Sequence, residues 1–157
     1  MNCNSSHLSF FLIILLGLVL ASFRSSATEY TVSSDDEFND LTLVAGDIVT
    51  WLDGTYTDQR INWSGQQGTA ENPIILKAET PGGVIFTGDS RINFFGSYLI
   101  VDGFFWKGGE GASNHIEFRR SGSDTDFGIN CTIRNCAFDN LFTTEPDKSR
   151  WIVLYGS

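Results

Sequence analysis

Two six-residue segments, Arg60–Gly65 (RINWSG) and Arg91–Gly96 (RINFFG), are near copies of each other 31 positions apart. A motif that returns constrains a chain strongly, because each copy must occupy an equivalent place in the fold. Around the second copy lies the most regular stretch, Pro73 to Gly109. It holds four short apolar runs: Ile74–Ala78, Val84–Thr87, Ile92–Phe95 and Tyr98–Asp102. Each is too short for a helix, rich in β-branched or aromatic residues, and closed by glycine or a turn cluster. No helical period runs through them.

The pattern extends in both directions. Ile48–Leu52 precedes the first copy of the motif, and Thr55-Tyr56 follows the Asp53-Gly54 turn. Tyr98–Val101 and Phe104–Trp106 begin a further unit, closed by His115–Phe118, and Cys131–Ile133 opens another that Trp151–Leu154 closes. The openings fall near positions 48, 74, 98 and 131, in steps of 26, 24 and 33. A self-similar unit of three short strands is the signature of a solenoid, here a parallel β-helix of about four coils. Stacked coils bury what a single coil cannot, and their corners accept insertions, which accounts for the uneven steps. The alternative is a β-sandwich of antiparallel hairpins. The returning RIN motif and the scarcity of two-residue Asn-Gly or Asp-Gly turns favour the β-helix. Sixteen glycines and only three prolines suit either.

The ends carry their own signals. Leu8–Leu20 is apolar, uncharged and shorter than a membrane span. Ser25-Ser26-Ala27 then offers small residues for cleavage, so residues 1–27 read as a signal peptide and 28–157 as the β-helix portion. A retained anchor is the alternative, since no lysine or arginine precedes the apolar run. Cys3 lies ahead of that run and is not placed for lipidation. Ser34 followed by Asp35, Asp36 and Glu37 predicts a short helix to about Leu41, a lid on one end of the stack. At the other end the chain stops after an apolar strand without a cap, and the expectation is the front portion of a longer protein. Cys131 and Cys136 read as two buried free thiols, with a bridge as the alternative. The net charge of -9 and the lack of a basic stripe argue against nucleic acid as a partner.

Few residues present themselves as a site. His115, Glu117, Arg119 and Arg120 form the densest polar cluster, and an arginine pair suits sugar carboxylates. The plainer reading puts Ile116 and Phe118 inward and leaves His115, Glu117 and Arg119 on a solvated strand face. Arg60 and Arg91 return at equivalent turns and read as corner residues. Trp51, Trp63, Trp106 and Trp151 can stack on sugars, but ladder packing is the reading favoured. Asp35, Asp36 and Glu37 lack calcium-loop spacing. Asn62-Trp63-Ser64 and Asn130-Cys131-Thr132 match the glycosylation sequon.

The turn Leu52–Tyr56, the segments NPIILKAETPGGVIFTGDS and YLIVDGFFWKGG, and the final LYGS occur in an order that resembles polysaccharide lyase family 6, the chondroitinase-B and alginate-lyase family. They span most of residues 30–157. The resemblance implies a right-handed parallel β-helix, a periplasmic or secreted location, and β-elimination on an acidic, uronate-containing polysaccharide. It also implies a cation, commonly calcium, that neutralises the uronate carboxylate, with a lysine base and an assisting arginine. In the family those residues lie in later coils, so no catalytic residue is assigned here. Calcium is expected of the full-length protein, with none bound by residues of this chain. No membrane association is expected once the signal is removed. Two other readings stand beside this one: a non-catalytic carbohydrate-binding or adhesion module, and another β-helix enzyme such as a pectate lyase or glycoside hydrolase.

Overall fold

The computed structural model describes residues 27–108, 114–141 and 150–155. The signal-peptide reading thus lies outside the described residues, apart from Ala27. The chain opens with β1 (Glu29–Val32) and a single-turn helix, α1 (Asp35–Asn39). Coils follow. The first comprises β2 (Ile48–Trp51), β3 (Gly54–Thr57), β4 (Arg60–Asn62) and β5 (Gln66–Gln67). The second comprises β6 (Ile74–Ala78), β7 (Val84–Thr87), β8 (Arg91–Asn93) and β9 (Gly96–Ser97). The third comprises β10 (Leu99–Asp102), β11 (Phe105–Lys107), β12 (Asn114–Glu117) and β13 (Gly128–Ile129), and the fourth β14 (Thr132–Arg134), β15 (Ala137–Asp139) and β16 (Arg150–Val153).

Strands one coil apart pair in parallel, giving four sheets: β1-β2-β6-β10-β14, β3-β7-β11-β15, β4-β8-β12-β16 and β5-β9-β13. This is the parallel β-helix the repeat predicts. The two RIN segments lie in direct register, Arg60 on Arg91, Ile61 on Ile92 and Asn62 on Asn93. The fourth sheet, of two-residue strands, lies outside the three-strand unit expected from the sequence.

Alternation along each strand sends one set of side chains inward, and register stacks them into columns. Tyr30, Val49, Leu76, Val101 and Ile133 form one. Tyr56, Phe86, Trp106 and Phe138 form the second, and Ile61, Ile92, Ile116 and Ile152 the third. Full burial of such a side chain contributes roughly 1.5–3 kcal/mol; Tyr30, Ile133 and Phe138 are only partly buried and Ile152 is 46% exposed. One corner shows why the turns need particular residues. Asp58, Gly88, Gly108 and Asn140 each follow a strand of the second sheet, with φ of 58°, 62°, 63° and 54°. Glycine, aspartate and asparagine are the residues that tolerate this left-handed geometry.

The helix caps the stack as expected but is shorter, ending at Asn39, because Asp40 closes the turn. Ser34 accepts a hydrogen bond from Glu37 N, while Glu37 Oε2 accepts one from Ser33 N. Phe38, 2% exposed, plugs the core against Trp63 at a centroid separation of 5.0 Å. The side chains of α1 also pair with the open edge of β4. Asn39 Nδ2 donates to Arg60 O and Asn39 Oδ1 accepts from Asn62 N, both at 2.9 Å. Asp35 Oδ2 accepts from Arg60 N at 2.8 Å. The helix thereby stands in for a missing strand on an edge that would otherwise invite pairing. Asn39→Ala is expected to lower stability by about 1 kcal/mol, read as the urea midpoint, with faster exchange of the Asn62 amide.

The cysteines depart from expectation. Cys131 and Cys136 are free but only half-buried, at the two ends of β14. Four residues separate them, extended over Thr132–Arg134 and turning at Asn135, whose φ is 53°, and no bridge joins them. Burial pushes both thiols up from their ordinary pKa.

Candidate functional site

Polar side chains concentrate on the outer face of the third sheet. Inward Ile61, Ile92 and Ile116 alternate there with two outward columns. In one, Arg60 and Arg91 lie in register, followed by His115 on β12. In the other, Asn62 and Asn93 are followed by Glu117. Asp89, on the corner before β8, accepts from Nη2 of both Arg60 and Arg91. One carboxylate thus ties two coils together, the corner role expected of this arginine pair. Asn93 Nδ2 donates to Asn62 Oδ1 at 3.1 Å, and Asn62 Nδ2 donates to Arg60 O at 3.1 Å. With Asn39 below, the asparagines form a continuous ladder along the stack.

The expected solvated face on β12 is corrected by its burial. His115 is 3% and Glu117 6% exposed, although both alternate with inward Ile116. The connection after β12 covers Glu117. Arg119 donates from Nε to Glu117 Oε2 at 3.3 Å, bonds Ser123 O and Asp124, and lies 3.8 Å from the centre of the Tyr155 ring. A bridge between Arg119 and Phe127 closes the connection into a hairpin. Arg120 pairs with Asp126 and sits 4.4 Å over the Phe95 ring. The two arginines are therefore not free to grip a sugar carboxylate together. Arg119 is held by its own chain, and only Arg120 is half exposed.

His115 Nδ1 lies 3.0 Å from Ser90 O, a carbonyl that also accepts from Trp106 Nε1. A carbonyl only accepts, so Nδ1 carries the proton and Nε2 is bare in the neutral ring. Burial pushes the imidazole below its ordinary pKa and Arg91 adds to this, while the Ser90 bond and Asp89 oppose it. The unfolded chain therefore takes up this proton more readily than the folded one. Stability is complete above the ordinary histidine value, near 6.5, and falls as pH drops from there to the folded value. Thermal midpoints across this range should slope downward toward acid, and His115→Gln should flatten the slope.

Other candidates fall into place. Trp51, Trp63 and Trp106 are core residues, whereas Trp151 is 50% exposed and stacks on Phe138 at 5.7 Å. Asp35, Asp36 and Glu37 form the first turn of α1. Asn62 is engaged in the ladder, while Asn130 is exposed with φ of 54°. Sequence reasoning missed Asp47, fully buried, whose carboxylate accepts from Thr28 N and Val44 N. Its sole signal is an acid beside a turn glycine. Among the described residues no group of three or more His, Cys, Asp or Glu gathers as for a metal, and no helix is long and apolar enough to cross a membrane.

The family described as Chondroitinase B matches residues 32–157. No curated protein matches the chain. Among solved structures, the PL6 family alginate lyase AlyGC is 26% identical with a TM-score of 0.69, over 82% of this chain and 18% of that one. A mannuronic acid specific family 6 lyase from human gut microbiota is 25% identical with a TM-score of 0.67, over 83% of this chain and 32% of that one. A PL6 lyase from Pseudopedobacter saltans, 24% identical with a TM-score of 0.55, shares the fold. The chain spans less than two fifths of the length of each of these structures. The match over residues 32–157, with the stacked coils beneath it, makes this chain a member of the chondroitinase B family, polysaccharide lyase family 6.

Proposed function

We propose that the chain forms the N-terminal coils of an exported lyase that cleaves uronate-containing polysaccharide by β-elimination, with alginate ahead of chondroitin or dermatan sulfate. The observation that carries this reading is the family match, joined by two solved relatives at 25–26% identity that are described as an alginate lyase and a mannuronic acid specific lyase. In this reaction a base removes the C5 proton and the C4–O bond breaks, leaving an unsaturated uronate. Calcium, if held by the full-length protein, would neutralise the uronate carboxylate. The residues of this chain supply scaffold. Their columns set the register that each later coil inherits, and α1 closes the end of the stack. Residues 1–27 direct export to the periplasm or the exterior.

The test follows ultraviolet absorbance of the unsaturated product, using the protein in its full natural length on alginate and on dermatan sulfate. A rise on alginate supports the reading, and a faster rise on dermatan sulfate reverses the order of substrates. A folded protein that produces no rise on either overturns the lyase assignment in favour of a binding module. Residues 28–157 alone are expected to be inactive in the same assay.

A further inference from the structure

Asp47 is a buried acid without a counter-charge. It is 0% exposed, on the turn that leads into β2. Its Oδ1 accepts from Thr28 N at 2.8 Å and its Oδ2 from Val44 N at 2.9 Å. Both donors are neutral backbone amides, and among the described residues no lysine, arginine or histidine pairs with it. Glu117, the other buried acid, has Arg119. A buried carboxylate held only by neutral donors bears a desolvation cost that a nearby cation would offset. Thr28 is fixed in place, since Ile48 N donates to its carbonyl at 3.0 Å, yet the residue itself is exposed. The nitrogen that meets Asp47 belongs to the residue directly after Ser25-Ser26-Ala27, the small residues that end the leader in the sequence. The leader boundary and the unpaired acid thus fall on one bond.

We propose that a leader peptidase hydrolyses the Ala27–Thr28 bond and that the freed α-ammonium of Thr28 forms a buried ion pair with Asp47, locking the front end of the stack. Water supplies the hydroxyl of the new Ala27 carboxyl group and one proton to Thr28 N. A second proton passes from that carboxyl to the amine, which stays charged below about pH 8. In the uncleaved chain this nitrogen is an amide that donates one uncharged hydrogen bond. After cleavage it keeps the bond to Asp47 and gains the charge, and charge-assisted bonds are the stronger kind. The pair ties the residue before β1 to the turn before β2, where the first two strands of the stack meet. This inference rests on the reading of residues 1–27 as an export leader.

Two measurements on the protein in its full natural length test it. The first is the intact mass of the exported protein, expressed with its own leader, and an N-terminus at Thr28 is expected. An exported protein that begins at another residue overturns the proposal and leaves export standing. A protein retained with residues 1–27 attached overturns both. The second compares thermal midpoints of protein beginning at Thr28 with a free and with an acetylated α-amine. Acetylation keeps the N–H that Asp47 accepts and removes only the charge. It is expected to lower the midpoint by about 2 °C or more, because it leaves a buried charge unpaired, and to change Asp47→Asn far less. An unchanged midpoint, or an equal drop in both backgrounds, overturns the ion pair. Should Asp47→Asn fail to fold, protein that keeps Ala27 decides. Its amine lies one residue further out, so its midpoint should fall as the acetylated protein's does, and a midpoint equal to that of the Thr28 form overturns the proposal.

Discussion

Trp51→Ala is expected to lower stability by about 3–5 kcal/mol, the larger of two effects that arise from the stacked core. Trp51 is fully buried at the end of β2. Its ring meets Tyr56, Phe86 and Phe104 edge-on, at centroid separations of 5.6, 5.4 and 6.4 Å. These partners belong to the first three coils, so one side chain joins three levels of the stack. Its register partner in the second coil is Ala78, small enough to leave room for the indole. Alanine at position 51 would set small against small and open a cavity that rigid backbone ladders on every side cannot close. Trp51→Phe should cost far less. It keeps most of the edge contacts and removes an indole N–H that is buried without a partner among the described residues. The urea midpoint at constant m-value checks both variants. A loss below about 1 kcal/mol for the alanine variant would mean that Trp51 is not enclosed as described.

Gly96→Ala tests the stacking distance itself. Gly96 lies in the fourth sheet between Gln66 of the coil below and Gly128 of the coil above. Its φ is +139°, and an added Cβ would fall on the carbonyl oxygen of Gln66, which is backbone and cannot turn aside. Strain and overpacking together predict a loss of about 3 kcal/mol or more. Gly122→Ala is the control. That glycine also has positive φ, at +76°, but nothing lies within 4 Å of its added Cβ. It should cost only the backbone preference, about 1 kcal/mol. The difference between the two variants isolates the contact between coils.

The architecture was legible because the coil openings are inward columns. Openings near 48, 74, 98 and 131 correspond to strands that begin at Ile48, Ile74, Leu99 and Thr132. Those strands carry Val49, Leu76, Val101 and Ile133 into the core, and their β-branched or leucine character marked them. The RIN copies aligned residue for residue because Ile61 and Ile92 occupy one ladder while the arginines and asparagines beside them repeat a corner. The fourth sheet left no such mark. Its members, Gln66–Gln67, Gly96–Ser97 and Gly128–Ile129, are short and mostly polar or glycine, without a hydrophobic period.

The candidate site was less legible, for a different reason. Alternation correctly turned His115 and Glu117 away from Ile116, but facing outward is not the same as being exposed. Arg119 folds back over Glu117, and the hairpin from Arg119 to Phe127 has no periodicity to announce it. The burial of His115 rests on Ser90, a corner residue 25 positions earlier. No local pattern couples the two. The roles of Arg60 and Arg91 were visible in outline from their repetition, while Asp89, the acid that joins them, became apparent only in the fold.

Register between coils is the claim on which the site, the cap and the family placement all depend, and a pair of introduced cysteines measures it. Thr57 and Thr87 are register partners on the outer face of the second sheet, with hydroxyls 2.7 Å apart. In the Thr57→Cys/Thr87→Cys variant, peptide mapping under mild oxidation should show these two positions bridged, since partners on adjacent strands fall within disulfide reach. In Thr57→Cys/Ile85→Cys the second cysteine lies two residues out of register, diagonally placed, and no bridge should form. Bridging of the diagonal pair, or of neither, would contradict the stacked coils described here.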